Sequence, residues 1–568
     1  MSKKKPSRPS ATPDPRAIPV DHSGKWWPFA LVALVAGLLF LPTASFEFID
    51  LDDTLLIVDN RDFLSDPGHV VQAFRQSFFT VPGYKDRPTY YRPMVTISYM
   101  MDMARGGPLP RPYHTTNLLL HIVCSCLLLR LLLRLGARHT PALLLALLFA
   151  VHPAFASVVA WVPGRNDSLL GVFALLSLLG LLRFLDRRSW WGFTLHSTCF
   201  LLAFFTKEAA AALVPIFVLL LARPEKARPS RATAALLCGT WLLVSASWYL
   251  LRQGAVEALP PRFMIESILA NSSQLVPLLG KCVIPAGLSA YPVRQDTSFL
   301  PGVLTLAALA FLALRGRRRW LLVLGGSWFV LFLVPTLVLD KPWDRAVFYE
   351  HRLYLPSMGL AIFLASVDLR LPGRRVGLLL AGLLVTTFAG LTLVRQRPYS
   401  SRLNFWRDAV ATSPSSSLAH MNLGVALALK KRLDEAEKPL LRSLEIDPAQ
   451  PSAHYNLGVL YRERGDANRA LEMFRRETEV APEHIQAHFD LGVLLARRGH
   501  VDEAVHAWER VLELDPFMTQ AYELLAIAAC EKRDLERARG YLVEQQARGG
   551  RLSDYARSKL EPHLGKLP

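Results

Sequence analysis

The chain has 568 residues, 51% of them hydrophobic and 20% charged, with a mean hydropathy of +0.24. That is too apolar for a water-soluble enzyme of this length and indicates an integral membrane protein. Lys and Arg outnumber Asp and Glu by 65 to 47, a net charge of +18, but the excess falls in short connections between apolar runs, which argues against nucleic acid as a partner and for a lipid bilayer.

In chain order, a basic, Pro-rich tail over 1–25 (Lys3, Lys4, Lys5, Arg8, Arg16) precedes an apolar run at 26–46 that lacks an A-x-A cleavage site and reads as a retained span. Further runs lie at 113–135, 140–160, 167–185, 190–206, 209–222, 233–251, 299–314, 320–339, 353–367 and 376–394, giving about eleven candidate spans in a membrane domain over 26–394. The stretch 265–290 is apolar but broken by Pro277, Gly280, Pro285 and Gly287, and reads as interfacial or re-entrant; if it spans, the C-terminal region changes sides. Alternate connections are basic: Arg130/Arg134/Arg138, Arg183/Arg187/Arg188, Arg223/Lys226/Arg228/Arg231, Arg315/Arg317/Arg318/Arg319 and Arg370/Arg374/Arg375. The positive-inside rule puts these in the cytoplasm and the intervening connections, including a long first loop over 47–112, on the opposite face. Six cysteines show no paired CxxC spacing, so neither a disulfide framework nor a zinc site is indicated.

After a linker helix over 395–416 the apolar runs stop and a 34-residue period begins, marked by Pro414, Pro448, Pro482 and Pro516. This is the tetratricopeptide period. Gly424, Gly458, Gly492 and Ala526 mark close helix packing, Ala436, Ala470, Ala504 and Ala538 the partner position, and Leu440, Phe474, Trp508 and Leu542 the large residue of each second helix. Four repeats follow at 417–450, 451–484, 485–518 and 519–552, the last serving as a cap, with a tail over 553–568. His420, His454 and His488 recur at the same period, but stacked repeats set equivalent residues roughly 10 Å apart, too far for one metal ion. Asn422, Asn456 and Asp490 form a parallel ladder that suits a groove holding an extended acceptor peptide, or ordinary repeat packing. The expected fold is all-α: a polytopic membrane helix bundle followed by an α-solenoid.

The polar residues of the membrane domain map to the non-cytoplasmic face. Asp50, Asp52 and Asp53 follow the first span, where charge beside low dielectric is costly unless paired or used. They read either as a general base for an acceptor hydroxyl or as a helix N-cap before Thr54. Arg92, Arg165, Lys207 and Arg352 could hold a phosphate, or could simply snorkel to the interface. His114, His121, His152, Glu208, Glu350 and Tyr354 supply further polar groups on the same side, with His121 better read as an interhelical hydrogen-bonder than as a catalyst. No P-loop, dinucleotide fingerprint or nucleophile set is present.

The sequence resembles the transmembrane and tetratricopeptide-repeat-containing family of protein O-mannosyltransferases, within the C-type (GT-C) multi-spanning glycosyltransferases. The resemblance rests on Phe48-x-x-x-Asp52-Asp53-x-x-x-Ile57-x-x-Asn60, Tyr91-Arg92-Pro93, Tyr113-His114-x-x-Asn117 with His121, Phe149-Ala150-Val151-His152-Pro153, Gly164-Arg165-x-Asp167, Lys207-Glu208, Arg352-Leu353-Tyr354-x-Pro356-Ser357-x-Gly359 and Trp406-Arg407-Asp408. It implies a polyprenyl-phosphate sugar donor, an acidic catalytic residue in the first external loop, and transfer to a protein hydroxyl. Asp52 and Asp53 inherit the acidic role, with Asp53 preferred.

The expected function is transfer of a mannose-like sugar from a polyprenyl phosphate to Ser or Thr of extracytoplasmic proteins, with Arg165, Lys207, Arg352 and Arg92 on the donor phosphate and the repeats presenting the acceptor protein. No cofactor is required by these residues, although two acidic side chains in an open loop are compatible with Mg²⁺. Arginine outnumbers lysine about three to one, as in a GC-rich genome, which favours a bacterial inner membrane with a periplasmic site over an endoplasmic reticulum membrane. The rival readings are a non-catalytic membrane scaffold built around the repeats and a glycosyltransferase acting on lipid-linked glycan.

Overall fold

A computed structural model describes residues 26–49, 51–80, 90–224, 228–316, 318–338, 349–367 and 373–565. The N-terminal tail, Asp50, Lys226, Arg317 and Arg370 lie outside the described residues. The described elements are helices joined by turns, with no β-strand among them. The chain divides into two compact units, Met1–Asp408 and Ala409–Pro568.

In the first unit each of the eleven apolar runs falls on helix. Six are long and apolar enough to cross a membrane: Trp27–Ser45, Pro110–Arg134, Val162–Arg187, Arg231–Gln253, Arg319–Leu337 and Arg375–Ser400. A seventh is a bent pair, His139–Ala150 and Pro153–Ala160, turning by 45°. The bend sits at Pro153, which has no N–H to continue the ladder, and His152 Nδ1 takes up the Ala154 N–H at 3.2 Å. The other four runs give shorter helices. Tyr354–Leu364 has 11 residues, about 16 Å at 1.5 Å per residue, so it covers only part of a hydrocarbon core near 30 Å. The broken stretch over 265–290 forms two short helices, Pro261–Asn271 and Leu275–Lys281, joined by a tight turn.

Close backbone approach fixes the bundle near the site. A Cβ on Gly325 would lie 2.4 Å from the Phe363 nitrogen, and one on Gly359 2.7 Å from the Gly325 oxygen, so only glycine lets these two helices pack. Between Val162–Arg187, Trp190–Phe204 and Arg231–Gln253, His196 is fully buried and satisfied by Ser177 Oγ at 2.9 Å and by the Trp241 Nε1–H at 2.8 Å. A buried polar group paired in this way fixes helix register.

The second unit contains four antiparallel helix pairs: Ser417–Leu429 with Leu433–Ile446, Ala453–Glu463 with Ala467–Val480, Ile485–Arg497 with Val501–Leu514, and Thr519–Glu531 with Leu535–Ala547. The small-residue ladder acts as its spacing implies: a Cβ would lie 2.5 Å from Leu440 at Gly424, from Phe474 at Gly458 and from Trp508 at Gly492. His420 and His488 each meet the carbonyl of the proline six residues earlier, at 3.2 and 3.0 Å, so these recurring histidines serve repeat packing. The segment read as a tail instead contains a helix, Asp554–Leu564, whose Ala556 and Leu560 pack on Ala526, Ala529, Cys530 and Ala538. That helix covers the apolar end of the last repeat.

Candidate functional site

The first connection after the Trp27–Ser45 helix turns tightly at Thr54–Val58. Asp53, 1% exposed, does not cap this turn; its Oδ2 reaches back to accept the Ile49 N–H at 3.0 Å. Asp52 keeps partial exposure. Both carboxylates lie within electrostatic reach of Tyr99, and Asp52 also of Tyr349.

Three of the four cations expected at a phosphate gather together. Lys207 sits at the break before the Glu208–Ala212 turn, Arg92 just before the Pro93–Gly106 helix, and Arg352 in the Glu350–Leu353 turn. Each is within electrostatic reach of the other two. Lys207 Nζ lies 2.7 Å from Asp167 Oδ1, Arg92 lies 3.5 Å from Glu208 and 4.5 Å over the Tyr90 ring, and Arg352 donates to the Thr336 carbonyl at 2.8 Å. Burial lowers the pKa of Lys207 and Arg352, opposed in Lys207 by Asp167, and the neighbouring cations lower both further. Like charges held close and largely desolvated suit a shared anion.

Arg165 is placed differently. It has no exposed surface, and all three of its nitrogens are engaged: with Asn117 Oδ1 at 2.8 Å, Ser98 Oγ at 3.1 Å, and the Tyr113 carbonyl at 2.8 Å together with Asp102 Oδ2 at 2.6 Å. In this structure it ties the start of the Val162–Arg187 helix to the helices Pro93–Gly106 and Pro110–Arg134. Asn117 completes the brace by donating to the Trp161 carbonyl at 3.0 Å and the Val162 carbonyl at 3.2 Å.

The remaining residues act mainly as supports. His121 bridges Tyr354 Oη at 2.9 Å and the Ala150 carbonyl at 3.0 Å. His152 bonds the Cys282 carbonyl at 3.1 Å, and His114 is buried edge-on to Phe46 at 6.3 Å. Glu350 is buried, accepting Lys281 Nζ at 2.7 Å and the Ser289 N–H at 3.0 Å. In the repeats, Asn456 bonds the Ser452 carbonyl of its own helix at 2.7 Å, while Asp490 is held by Tyr455 at 3.0 Å and Arg462 at 2.8 Å; Asn422 is half-buried. Among the described residues no cluster of three or more His, Cys, Asp or Glu is arranged to hold a metal.

Asp102 and Lys281 escaped the sequence reading, although each left a signal: a lone carboxylate in Met100-Met101-Asp102-Met103 and a lone ammonium in Leu278-Leu279-Gly280-Lys281-Cys282-Val283. A single charge inside an apolar run is costly unless a partner waits for it.

Residues 114–250 match the family described as dolichyl-phosphate-mannose-protein mannosyltransferase, and residues 393–451, 455–508 and 490–550 match the tetratricopeptide repeat. Together with the fold, these matches define a polytopic membrane protein with mannosyltransferase-type helices joined to a repeat solenoid. The chain is similar to proteins named TMTC protein O-mannosyl-transferases. It is 33% identical over 165 residues to protein O-mannosyl-transferase tmtc2 of Xenopus laevis, covering 29% of this chain and 19% of that one. It is 24% identical over 460 residues to protein O-mannosyl-transferase TMTC3 of Mus musculus, covering 70% of this chain and 49% of that one. The matched region thus spans at most about half the length of these curated relatives. Among solved structures, a MamA crystal structure aligns at 18% identity and TM-score 0.25 over 26% of this chain and 86% of that one. The repeat protein YrrB aligns at 23% identity and TM-score 0.24 over 28% and 83%.

Proposed function

We propose that this protein is a membrane glycosyltransferase that moves a mannose-type monosaccharide from a polyprenyl phosphate to a Ser or Thr hydroxyl of an extracytoplasmic protein. The observation that carries this reading is the gathering of Arg92, Lys207 and Arg352, with Tyr349 within electrostatic reach of both Arg352 and Asp52. The mannosyltransferase match over 114–250 and the relatives named protein O-mannosyl-transferases support it. In the reaction, the acceptor oxygen forms a bond to the anomeric carbon while Asp52 takes the hydroxyl proton. The anomeric carbon–oxygen bond to phosphate breaks, its electron pair leaving on the phosphate oxygen, where the three cations meet the developing charge. Partial exposure favours Asp52 as the base, reversing the order taken from the sequence; Asp53, turned towards Ile49, positions the loop. The repeats present the acceptor, and the arginine-rich composition favours a bacterial inner membrane with site and repeats in the periplasm.

The test is label transfer from polyprenyl-phosphate [³H]mannose, with other monosaccharides in parallel, to a mixture of periplasmic proteins by the purified protein in lipid nanodiscs. Wild type transfers label that β-elimination releases, and Lys207→Gln or Arg352→Gln lowers the rate by about a hundredfold. Absence of transfer with every donor sugar contradicts the proposal.

A further inference from the structure

Near Asp52 and the three cations lies a group of rings that the reaction scheme has not used. Trp161 follows the Ala156–Ala160 helix, and Tyr349 and His351 flank the Glu350–Leu353 turn. Trp161 lies 5.8 Å from Tyr349 and 5.3 Å from His351, and Tyr349 stacks on His351 at 5.3 Å with an angle of 27°. Tyr291, 5.9 Å from Tyr349, and Trp406, 5.6 Å from Tyr291, back the group from behind. Tyr349 and His351 keep partial exposure, so the group presents a face. Lys207, Arg352 and Arg92 lie within electrostatic reach of His351, and Asp52 within reach of Tyr349. In a transfer reaction the sugar ring lies next to both the base and the leaving phosphate, and Tyr349 is within electrostatic reach of Asp52 and of Arg352.

Two atoms of the group are unusual. Trp161 Nε1 and His351 Nδ1 are both buried and find no hydrogen-bond partner among the described residues. Buried polar atoms are nearly always satisfied, so two in adjoining rings require an explanation. A hexose supplies one: its C–H face packs on aromatic rings, and its hydroxyls offer both donors and acceptors to such atoms.

We infer that Trp161, Tyr349 and His351 form the wall of the donor-sugar subsite, with the Trp161 Nε1–H donating to one sugar hydroxyl and His351 Nδ1 bonding another. The inference rests on the proposed function, because it takes Arg92, Lys207 and Arg352 as the phosphate side. A site built to bond a hydroxyl discriminates strongly, since a sugar lacking it leaves the site's own groups unpaired. The wall is therefore a specificity element rather than an anchor for the lipid.

The experiment measures binding of two lipids to the protein in nanodiscs: undecaprenyl phosphate, and the same lipid carrying mannose, with glucose in parallel. Wild type binds one of the glycosylated lipids roughly tenfold more tightly than the bare lipid. Trp161→Leu brings that ratio close to one while the affinity for bare lipid stays within about twofold. Trp161→Phe and His351→Gln, which preserve ring or shape, give intermediate ratios and carry the test if Trp161→Leu fails to fold. A ratio unchanged in all three variants, or equal losses for bare and glycosylated lipid, overturns the inference. Wild type that binds both lipids equally overturns the inference alone, whereas wild type that binds neither overturns the proposed function and the inference with it.

Discussion

Lys207 Nζ and Asp167 Oδ1 stand 2.7 Å apart, joining the start of the Val162–Arg187 helix to the break before the Glu208–Ala212 turn. Their side chains are 15% and 5% exposed, so the pair is largely desolvated. Removing one partner of such a pair leaves a buried charge and costs about 3–5 kcal/mol, whereas removing both costs far less. Lys207→Met is expected to lower the thermal midpoint in detergent sharply, and Lys207→Met with Asp167→Asn to recover most of the loss. Equal midpoints for wild type and the single variant would show that the pair contributes nothing to stability.

Arg165 offers a parallel case deeper in the protein. Its guanidinium meets Asp102, Asn117, Ser98 and the Tyr113 carbonyl, a planar fork that an ammonium cannot reproduce. Arg165→Lys should therefore destabilise the first unit by roughly 2–4 kcal/mol despite keeping the charge. Thermal unfolding followed by tryptophan fluorescence measures it. A midpoint like that of wild type would mean that the charge alone matters.

His351 couples the site to pH. Burial, then the positive charges of Lys207, Arg352 and Arg92, hold its pKa well below the ordinary 6.5. Folded protein therefore binds fewer protons here than unfolded chain, so the stability tied to neutral His351 is complete above about pH 6.5 and is lost as pH falls below it. The stability difference between wild type and His351→Gln should shrink by up to about 1.4 kcal/mol per pH unit below that value and stay flat above it. Unfolding midpoints from pH 8 to about pH 5 decide the point. A difference independent of pH contradicts the placement of His351.

In the repeats, Gly492 faces Trp508 so closely that an added Cβ would lie 2.5 Å from Nε1. Gly492→Ala should cost about 1–3 kcal/mol through overpacking. The fourth repeat shows the remedy, pairing Ala526 with Leu542 at the corresponding positions. Adding Trp508→Leu to Gly492→Ala should restore part of the loss, though not the bond from Trp508 to the Phe489 carbonyl at 3.3 Å. Hydrogen exchange over 485–518 in the full chain reports both effects. Faster exchange in the double variant than in the single would contradict the packing argument.

What could be read from sequence follows from the range of the physics. Apolar runs and a 34-residue period are local patterns, and all eleven runs and all four repeats fall on helix. Helix length was less legible: the run over 353–367 reads as one apolar segment, yet only Tyr354–Leu364 is α-helix, with Leu353 in the preceding turn and 365–367 beyond the helix end. Pairings between distant residues were not legible. Arg165 and Asp102, or Lys281 and Glu350, are separated by long stretches of chain, and only the fold shows that each charge has met its partner. Arg165 therefore looked the same in sequence as Lys207 and Arg352, although its guanidinium is fully engaged in a buried network while they lie within electrostatic reach of each other.

The central claim is that Asp52 receives the acceptor proton across the sugar from the three cations. Sugar transfer by wild type, Asp52→Asn and Asp53→Asn, measured at equal folded concentration, tests it most directly. The account predicts that Asp52→Asn lowers the rate by about two orders of magnitude or more while leaving donor affinity intact, and that Asp53→Asn acts less strongly and mainly through stability. Transfer undiminished in Asp52→Asn would contradict it.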